Sequence, residues 1–392
     1  MYNERHVLIL PSWYPENAND LNGSFFREQA QALHKSGLKV GVLAIKMRSL
    51  RTLFKRQNST SLTYYKDEGI VTLRKGFFNW IPRISSGSAW LFTQAGLTAF
   101  KEYIAINGKP DVIHVHSVRY SGMLALAIYE KYQIPYCMTE HTTAYAMQLF
   151  NRNELLHIEQ VAQRSAYNIA VSESFQSLLS HQLPSSRWCY IPNMLPAQFS
   201  NLQLDAPKED NFIFCNVSIL KKKKGIHTLI KAFAEGFRDV DNTKLHIIGD
   251  GPERDNLNKL VVELGLEQKV VFLGAIRRNE IVDSFKQINS YVLSSQYETF
   301  GISLIEALAL GLPAVATRCG GPESILKEGF NGYFCDVDDV SSMANAMLKL
   351  YHNRDKFHAE KIADDCHVRF GEATIVNKLT DIYNEIIEKS HV

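Results

Sequence analysis

Short apolar runs alternate with amphipathic helical stretches along almost the whole chain, and no other feature constrains the fold as much. Strand-like runs cover His6–Ser12, Lys39–Ile45, Asp111–His116, Pro135–His141, Asn168–Val171 and Trp188–Pro192. Between the first two, Ser24–Ser36 carries Phe25, Ala30 and Leu33 close to helical spacing. Strands separated by helices are the mark of βαβ units and a parallel sheet. The pattern breaks after Asn193. Residues 194–210 (MLPAQFSNLQLDAPKED) have two prolines and no clear period, and they read as a linker. The alternation restarts with strands over Phe212–Ser218, Lys244–Gly249, Lys269–Gly274, Ser290–Ser295, Pro313–Thr317 and Gly332–Asp336, and from about Ser341 the chain reads as helical.

The expected fold class is therefore α/β, with two Rossmann-like, doubly wound parallel-sheet domains facing across a cleft. Residues 1–195 make the first domain and residues 205–370 the second. The chain's 392 residues suit two domains at roughly 150 residues each. Ligands of open parallel sheets bind beyond the carboxyl ends of the strands, so two facing domains give one cleft two such edges.

Composition narrows the classes. A net charge of +2 is too balanced to point to nucleic acid. None of the six cysteines forms a C-x-x-C pair, and all but Cys366 lie in apolar runs, so reduced buried thiols are expected. The opening MYNERHVLILPSWYP has an apolar run that stops at Pro11, which fits a first strand and not a signal peptide. No stretch reaches the roughly 18 apolar residues of a membrane span. The expectation is a cytoplasmic protein, at most peripheral to the inner face of a membrane.

The strongest chemical signal is ETFGISLIE, Glu298–Glu306, placed after the strand SYVLSS and opening a helix. Glu298 belongs in the loop, Gly301 permits close backbone approach to a ligand, and the first helical amides favour an anion. Glu306 lies just over a turn further on. Two acids with free amides between them suit a sugar nucleotide; two solvated acids favouring the helix dipole fit the spacing equally well. KKKKG, Lys221–Gly225, lies between a strand and a helix in the first βα turn of the second domain. Ammonium groups before a helix N-terminus suit phosphate, whereas a solvated lysine loop is the plain alternative. It is not a P-loop, because the spaced glycines and the following Ser/Thr are missing. Gly249, Asp250 and Gly251 form a tight turn after a strand, and Pro252 suits a first helical position.

In the first domain, Asn22, Gly23 and Ser24 precede the first helix and offer either amides for a phosphate or an ordinary Ser cap. His141 ends the strand YCMTEH. His116 is expected to point to the same edge, and His114 to be structural. Asp336, Asp338 and Asp339 look like a D-x-D metal motif, but acids before a helix serve as caps, and no metal is expected. Lys46–Lys66 holds six basic residues and no acid, with Phe77, Phe78, Trp80, Trp90 and Phe92 nearby. This segment suits either peripheral contact with an anionic membrane or a solvated loop with its aromatics in the core.

Together these segments resemble the retaining, metal-independent glycosyltransferases of family 4, the "group 1" transferases with the GT-B fold. Glu298 and Glu306 match the family's Glu-x7-Glu pair. KKKKGIHTLIKAF, HIIGDGPERDNL, VVFLGAI and ALGLPAVATRCGGPESI follow in family order, as do DVIHVHS, TEHT, VSES and IPN in the first domain. The resemblance implies that Glu306 binds the donor ribose and Lys224 its diphosphate. Glu298 lies by the transferred sugar, with amides of Phe300, Gly301 and Ile302 meeting sugar or phosphate. Gly249, Asp250 and Gly251 lie near the donor, His141 contacts the sugar, and Gly23 and Ser24 approach the diphosphate. Residues 371–392 form a last helix that crosses back to the first domain.

Two departures stand out. An arginine expected five residues before Lys224 is Ile219, with Lys221, Lys222, Arg277 and Arg278 as substitutes, and the usual glycine pair of the first loop is reduced to Gly23. The implied reaction moves a hexosyl-type sugar from a nucleotide-diphosphate donor to a hydroxyl of a saccharide or lipid-linked saccharide, with no metal or other cofactor. No carboxylate stands out as a nucleophile of the hydrolase kind. The rival readings are a sugar-nucleotide epimerase of the same fold and a non-catalytic nucleotide-sugar scaffold. No G-x-G-x-x-G opens either domain, which disfavours an NAD enzyme.

Overall fold

A computed structural model describes residues 5–16, 23–52, 60–82, 84–200 and 211–390. The chain divides into two compact units. The N-terminal unit comprises residues 1–171, 175–191 and 375–392, and the C-terminal unit the remainder.

The N-terminal unit runs β1 (His6–Pro11), α1 (Ser24–Lys35), β2 (Lys39–Arg48), β3 (Leu62–Asp67), β4 (Ile70–Phe78), α2 (Ser85–Asn107), β5 (Val112–His116), α3 (Val118–Tyr132), β6 (Tyr136–Glu140), α4 (Arg152–Arg164), β7 (Tyr167–Ala170), α5 (Glu173–Gln182) and β8 (Trp188–Tyr190). Its eight strands lie in the order β3-β4-β2-β1-β5-β6-β7-β8, all pairs parallel except β3 with β4. Every residue of β1, β5 and β6 is buried, as in a sheet covered on both faces.

The C-terminal unit runs β9 (Phe212–Val217), α6 (Ile226–Phe237), β10 (Thr243–Ile248), α7 (Arg254–Glu263), β11 (Val270–Gly274), α8 (Ile281–Phe285), β12 (Ser290–Leu293), α9 (Ile302–Ala309), β13 (Ala314–Thr317), β14 (Gly332–Cys335), α10 (Val340–His352) and α11 (Ala359–Phe370), followed by α12 (Glu372–Ser390). Its sheet is wholly parallel in the order β11-β10-β9-β12-β13-β14. Numbered within the unit this is 3-2-1-4-5-6, the doubly wound Rossmann order, whose direction reverses between β9 and β12. In the N-terminal unit the same reversal falls between β1 and β5. Phe214, Phe233, Phe237, Met343 and Leu350 centre the core of the C-terminal unit.

Several expectations need correction. Residues 194–200 are not a linker. Leu195 and Phe199 are fully buried, and the Leu195 amide donates to the Phe370 carbonyl at 2.8 Å. The segment turns through a short 3₁₀ stretch, so it shows no helical or strand period; residues 201–210 of the expected linker lie outside the described residues. Lys46–Lys66 is not one loop. Lys46 and Arg48 sit in β2, and Lys66 sits in β3, which pairs with β4. This hairpin is two-sided and carries charges, so it lacks the apolar run of a buried strand; residues 53–59 lie outside the described residues. Trp80 and Trp90 are exposed whereas Phe92 is buried, so the aromatics divide between surface and core. Pro252 lies in the turn before α7 and not at its first position.

The six cysteines are free, five buried and Cys189 half-buried. No helix among the described residues is long and apolar enough to cross a membrane.

Helix α12 buries Ile375, Leu379, Ile382, Tyr383 and Ile386. The His114 ring bonds the Tyr383 hydroxyl at 2.7 Å through Nδ1 and the Thr139 hydroxyl at 2.8 Å through Nε2, so the terminal helix is pinned to the centre of the N-terminal sheet. Removing that hydroxyl in Tyr383→Phe leaves a buried ring nitrogen without a partner. The expected cost is about 1–3 kcal/mol, read as a lower Tm or denaturation midpoint. Acid acts on the same unit. Burial lowers His6 to about 4 and His114 to about 3, against about 6.5 in an unfolded chain. The unfolded state takes up protons that the folded state refuses, so this stability is held above pH ~6.5 and lost as pH falls below it. Tm is expected to drop between pH 7 and pH 5, by on the order of 1 kcal/mol of stability for each such histidine per pH unit; a flat Tm contradicts this.

Candidate functional site

The strand order reverses between β9 and β12, the point at which open doubly wound sheets take their ligands, and the loops leaving the carboxyl ends of these two strands carry the charged residues. The β9 loop ends in a 3₁₀ turn, Lys222–Lys224, before Gly225 and α6. The β12 loop carries Glu298. The Lys224 ammonium is paired with Glu298 Oε1, which also accepts from the Ser295 hydroxyl at 2.7 Å. The loops are tied together twice more. Ser294 Oγ donates to the Lys224 carbonyl at 2.8 Å, and the Gln296 amide donates to the Lys223 carbonyl at 2.8 Å. Behind them, Glu298 exchanges backbone hydrogen bonds with residues 319–321. Its amide donates to the Cys319 carbonyl at 3.0 Å, and the Gly321 amide donates to its carbonyl at 2.8 Å.

Helix α9 then starts from Gly301, whose φ of 127° suits glycine and little else. The first amides of α9 have no carbonyl four residues earlier in the helix and point outward at its start. Phe300 has its ring buried against Phe370 at 5.7 Å, so only its backbone faces the loop. Ile302 is half-buried. Glu306 is only 2% exposed and is paired with Arg278 at 2.6 Å. Of the cations weighed against Ile219, Arg278 is thus engaged with Glu306. Arg277 is exposed beside Glu280 at 3.8 Å, and Lys221 and Lys222 are exposed. Ile219 itself is 59% exposed. The Gly249–Gly251 turn packs on this β9 loop. The Leu220 amide donates to the Asp250 carbonyl at 3.0 Å, and a Cβ on Gly249 would lie 1.9 Å from the Ser218 carbonyl oxygen.

In the N-terminal unit the reversal between β1 and β5 gathers a second group. His141 directly follows β6, and its Nε2 lies 3.1 Å from His116 Nδ1. The rings of Phe25 and Phe26 lie 5.2 and 5.0 Å from His141. His116 does not reach an open edge as expected. It is fully buried between Phe26 and His114, because β5 is covered on both faces. Burial holds its pKa well below the ordinary histidine value, so it is neutral. Gly23 caps α1 in a left-handed conformation and Ser24 is the first helical residue, with no side-chain cap bond; the ordinary Ser cap is therefore not used. Asn22 lies outside the described residues.

Glu140 escaped the sequence reading. Its carboxylate is fully buried and accepts amides of Val118 at 2.9 Å, His141 at 2.8 Å and Thr142 at 2.9 Å. Burial raises its pKa and these bonds oppose the rise. It fixes the backbone on which His141 stands. An acid closing an otherwise apolar strand was its only signal. Asp339 caps α10, accepting from the Ser342 amide at 2.8 Å, and Asp338 accepts from the Gln296 side chain at 2.9 Å. Among the described residues no three His, Cys, Asp or Glu side chains are grouped to hold a metal ion.

Two family models match the chain, "Glycosyl transferases group 1" over residues 201–364 and "Glycosyltransferase Family 4" over residues 23–199. N-acetyl-alpha-D-glucosaminyl L-malate synthase of Bacillus anthracis is 30% identical over 46% of this chain and 47% of its own length. The lipopolysaccharide core glycosyltransferase LpsE of Rhizobium meliloti is 30% identical over 47% of this chain and 52% of its own. The chain thus spans about half the length of these two relatives. Alpha-monoglucosyldiacylglycerol synthase of Acholeplasma laidlawii is 24% identical over 66% of this chain and 73% of its own. Among solved structures, sucrose-phosphate synthase from Thermosynechococcus elongatus superposes with a TM-score of 0.80 at 19% identity, covering 99% of this chain and 100% of that one. HepE of Anabaena, solved in complex with UDP-glucose, superposes at 0.69 with 20% identity over 97% and 99%.

The glycine requirement is testable directly. Gly249→Ala and Gly301→Ala each force a side chain into a strained backbone conformation, and the first also into a carbonyl oxygen. Each is expected to cost about 1–3 kcal/mol, seen as a Tm loss greater for Gly249→Ala than for an alanine placed at the unobstructed Gly265.

Proposed function

We propose that this chain, which belongs to the family 4 glycosyltransferases of GT-B fold, transfers a sugar from a nucleotide-diphosphate donor to a hydroxyl acceptor, with retention of configuration and without a metal. The observation that carries this reading is the Lys224–Glu298 pair at the strand-order reversal, one loop before the amides of α9 and on the same segment as Glu306. HepE of Anabaena, a solved structure of the same fold, was obtained in complex with UDP-glucose, which supports a donor of that class.

In this reading Lys224 and the first amides of α9 meet the diphosphate, where negative charge grows as the glycosyl–phosphate bond breaks. Glu306 accepts from the ribose hydroxyls, sharing its carboxylate between them and Arg278. Glu298 lies by the transferred sugar, and its pairing with Lys224 aims the ammonium before donor arrives. His141 contacts the sugar, oriented by His116 and by the Glu140-held loop. Gly249, Asp250 and Gly251 border the donor, and Gly23 and Ser24 approach the diphosphate. The leaving phosphate takes the acceptor's proton on the same face as departure, so no carboxylate nucleophile is called for. Lys224 and fixed dipoles supply the compensating charge, so the reaction needs no cofactor. The acceptor is a saccharide or lipid-linked saccharide, in keeping with relatives named for lipopolysaccharide core and glycolipid synthesis.

A thermal-shift screen of nucleoside diphosphates and nucleotide sugars, with and without magnesium, checks the donor. One nucleotide at about 100 times its Kd is expected to add roughly 2.7 kcal/mol, with no need for magnesium and with loss of the shift in Glu306→Ala. In turnover assays Lys224→Ala is expected to fall by about 10²–10³-fold, the scale of removing one preorganised charge-stabilising group. Near-normal turnover in a folded Lys224→Ala protein contradicts the role given to this residue.

A further inference from the structure

The two ring nitrogens of His116 stand in unlike surroundings. Nδ1 lies 3.1 Å from Nε2 of His141. Nε2 is buried and finds no hydrogen-bond partner among the described residues. The ring is held in place. The His116 backbone lies opposite Pro11 and Thr139 in the sheet, and the ring packs against Phe26 at 4.7 Å and His114 at 4.3 Å. Both nitrogens of His114 are already engaged, with the hydroxyls of Tyr383 and Thr139. His116 is fully buried and neutral, so its ring carries a single N–H.

That proton has two places to sit. On Nδ1, it is donated to His141 Nε2, and His116 Nε2 is left as a bare lone pair. If His141 donates through its own Nε2 instead, the His116 proton is forced onto Nε2, and a buried N–H is left without an acceptor. Orphaned buried N–H groups are rare in native proteins, and an unpaired acceptor is tolerated more often. The first arrangement is therefore favoured, and it uses His141 Nε2 as an acceptor. The proton of His141 then sits on its other nitrogen, because the bond made by one ring nitrogen sets the state of the second. We propose that His116 is a positioning residue that fixes His141 in the Nδ1–H tautomer, so that His141 meets a sugar oxygen as a hydrogen-bond donor through Nδ1. The proposal rests on the glycosyltransferase reading above and names the nitrogen through which His141 acts. His116 works on the ring and not on the loop, because the His141 backbone is held separately. Glu140 accepts the amides of His141 and Thr142 at 2.8 and 2.9 Å.

The test is long-range proton–nitrogen correlation NMR on the full chain carrying isotope-labelled histidine, without nucleotide. The His141 signals are identified by their loss in His141→Ala. In the wild-type protein at neutral pH, His141 is expected to show a protonated, pyrrole-type Nδ1 and a bare, pyridine-type Nε2. His116→Asn sets a side-chain amide where the Nδ1–H stood, so it is expected to keep this pattern. His116→Leu removes the donor, and His141 is expected to move to the Nε2–H form or to a mixture of the two. Turnover is expected to be about tenfold lower in His116→Leu than in His116→Asn, the scale of one lost hydrogen bond. Circular dichroism and Tm serve as fold controls, and the wild-type spectrum decides the tautomer even where a variant does not fold. An Nε2–H or doubly protonated His141 in the wild-type protein overturns the proposal, as does an unchanged Nδ1–H pattern in folded His116→Leu. Failure of the transferase reading is seen separately. If the spectra agree but folded His141→Ala turns over normally, the part given to His141 in the reaction fails, and control of its tautomer by His116 stands.

Discussion

The reversal of strand order between β9 and β12 is the constraint on which the proposed chemistry depends. The pairs β9–β10, β10–β11 and β12–β13 are each joined by a crossover containing a helix, α6, α7 and α9, and β13 reaches β14 through a 3₁₀ turn. At the reversal the crossovers leave in opposite directions, and the loops above β9 and β12 are left facing each other. Lys224 comes from one loop and Glu298 from the other, 74 residues apart in the chain, and they meet as an ion pair. The bonds from Ser294 and Gln296 hold the two loops in one arrangement and Ser295 holds the Glu298 carboxylate within its own loop, so the charges are positioned before any ligand arrives. Preorganisation of this kind is what makes fixed charges effective at a reacting phosphate.

The N-terminal unit repeats the device with different residues. Its reversal between β1 and β5 brings Phe26, His116 and His141 together, and a buried carboxylate, Glu140, fixes the turn after β6 through the amides of His141 and Thr142 and ties it to the start of α3 through that of Val118. A buried carboxylate is costly unless its oxygens are satisfied, and here the backbone satisfies them. The price is rigidity at one loop, which is useful if His141 must hold a fixed position.

Much of this was legible in the chain. The alternation of β-rich and helical segments pointed to the doubly wound class, because a short continuous apolar run such as VLIL between turn signals fits a strand covered on both faces. Glu298 and Glu306 were legible because a strand, a glycine and a helix start bracket them. What the sequence hid has physical reasons. The β3–β4 hairpin carries charges on both faces and so lacks a strand's apolar signature. Residues 194–200 pack through a 3₁₀ turn, which has no long period to detect. The partnership of Arg278 with Glu306 joins positions 28 residues apart through tertiary packing, and no local pattern announces it. His116 was expected at an open edge, yet it shares a face of β5 with His114, two residues away, and both faces of that strand are buried.

Hydrogen exchange on adding a matched nucleotide sugar tests the central assignment most directly. The account predicts slowed exchange at the first amides of α9, residues 301–303, and in the loop of residues 218–225, in wild type, with this protection lost in Glu306→Ala. Strong nucleotide binding that leaves these amides unprotected would contradict the assignment and move the donor elsewhere on the chain.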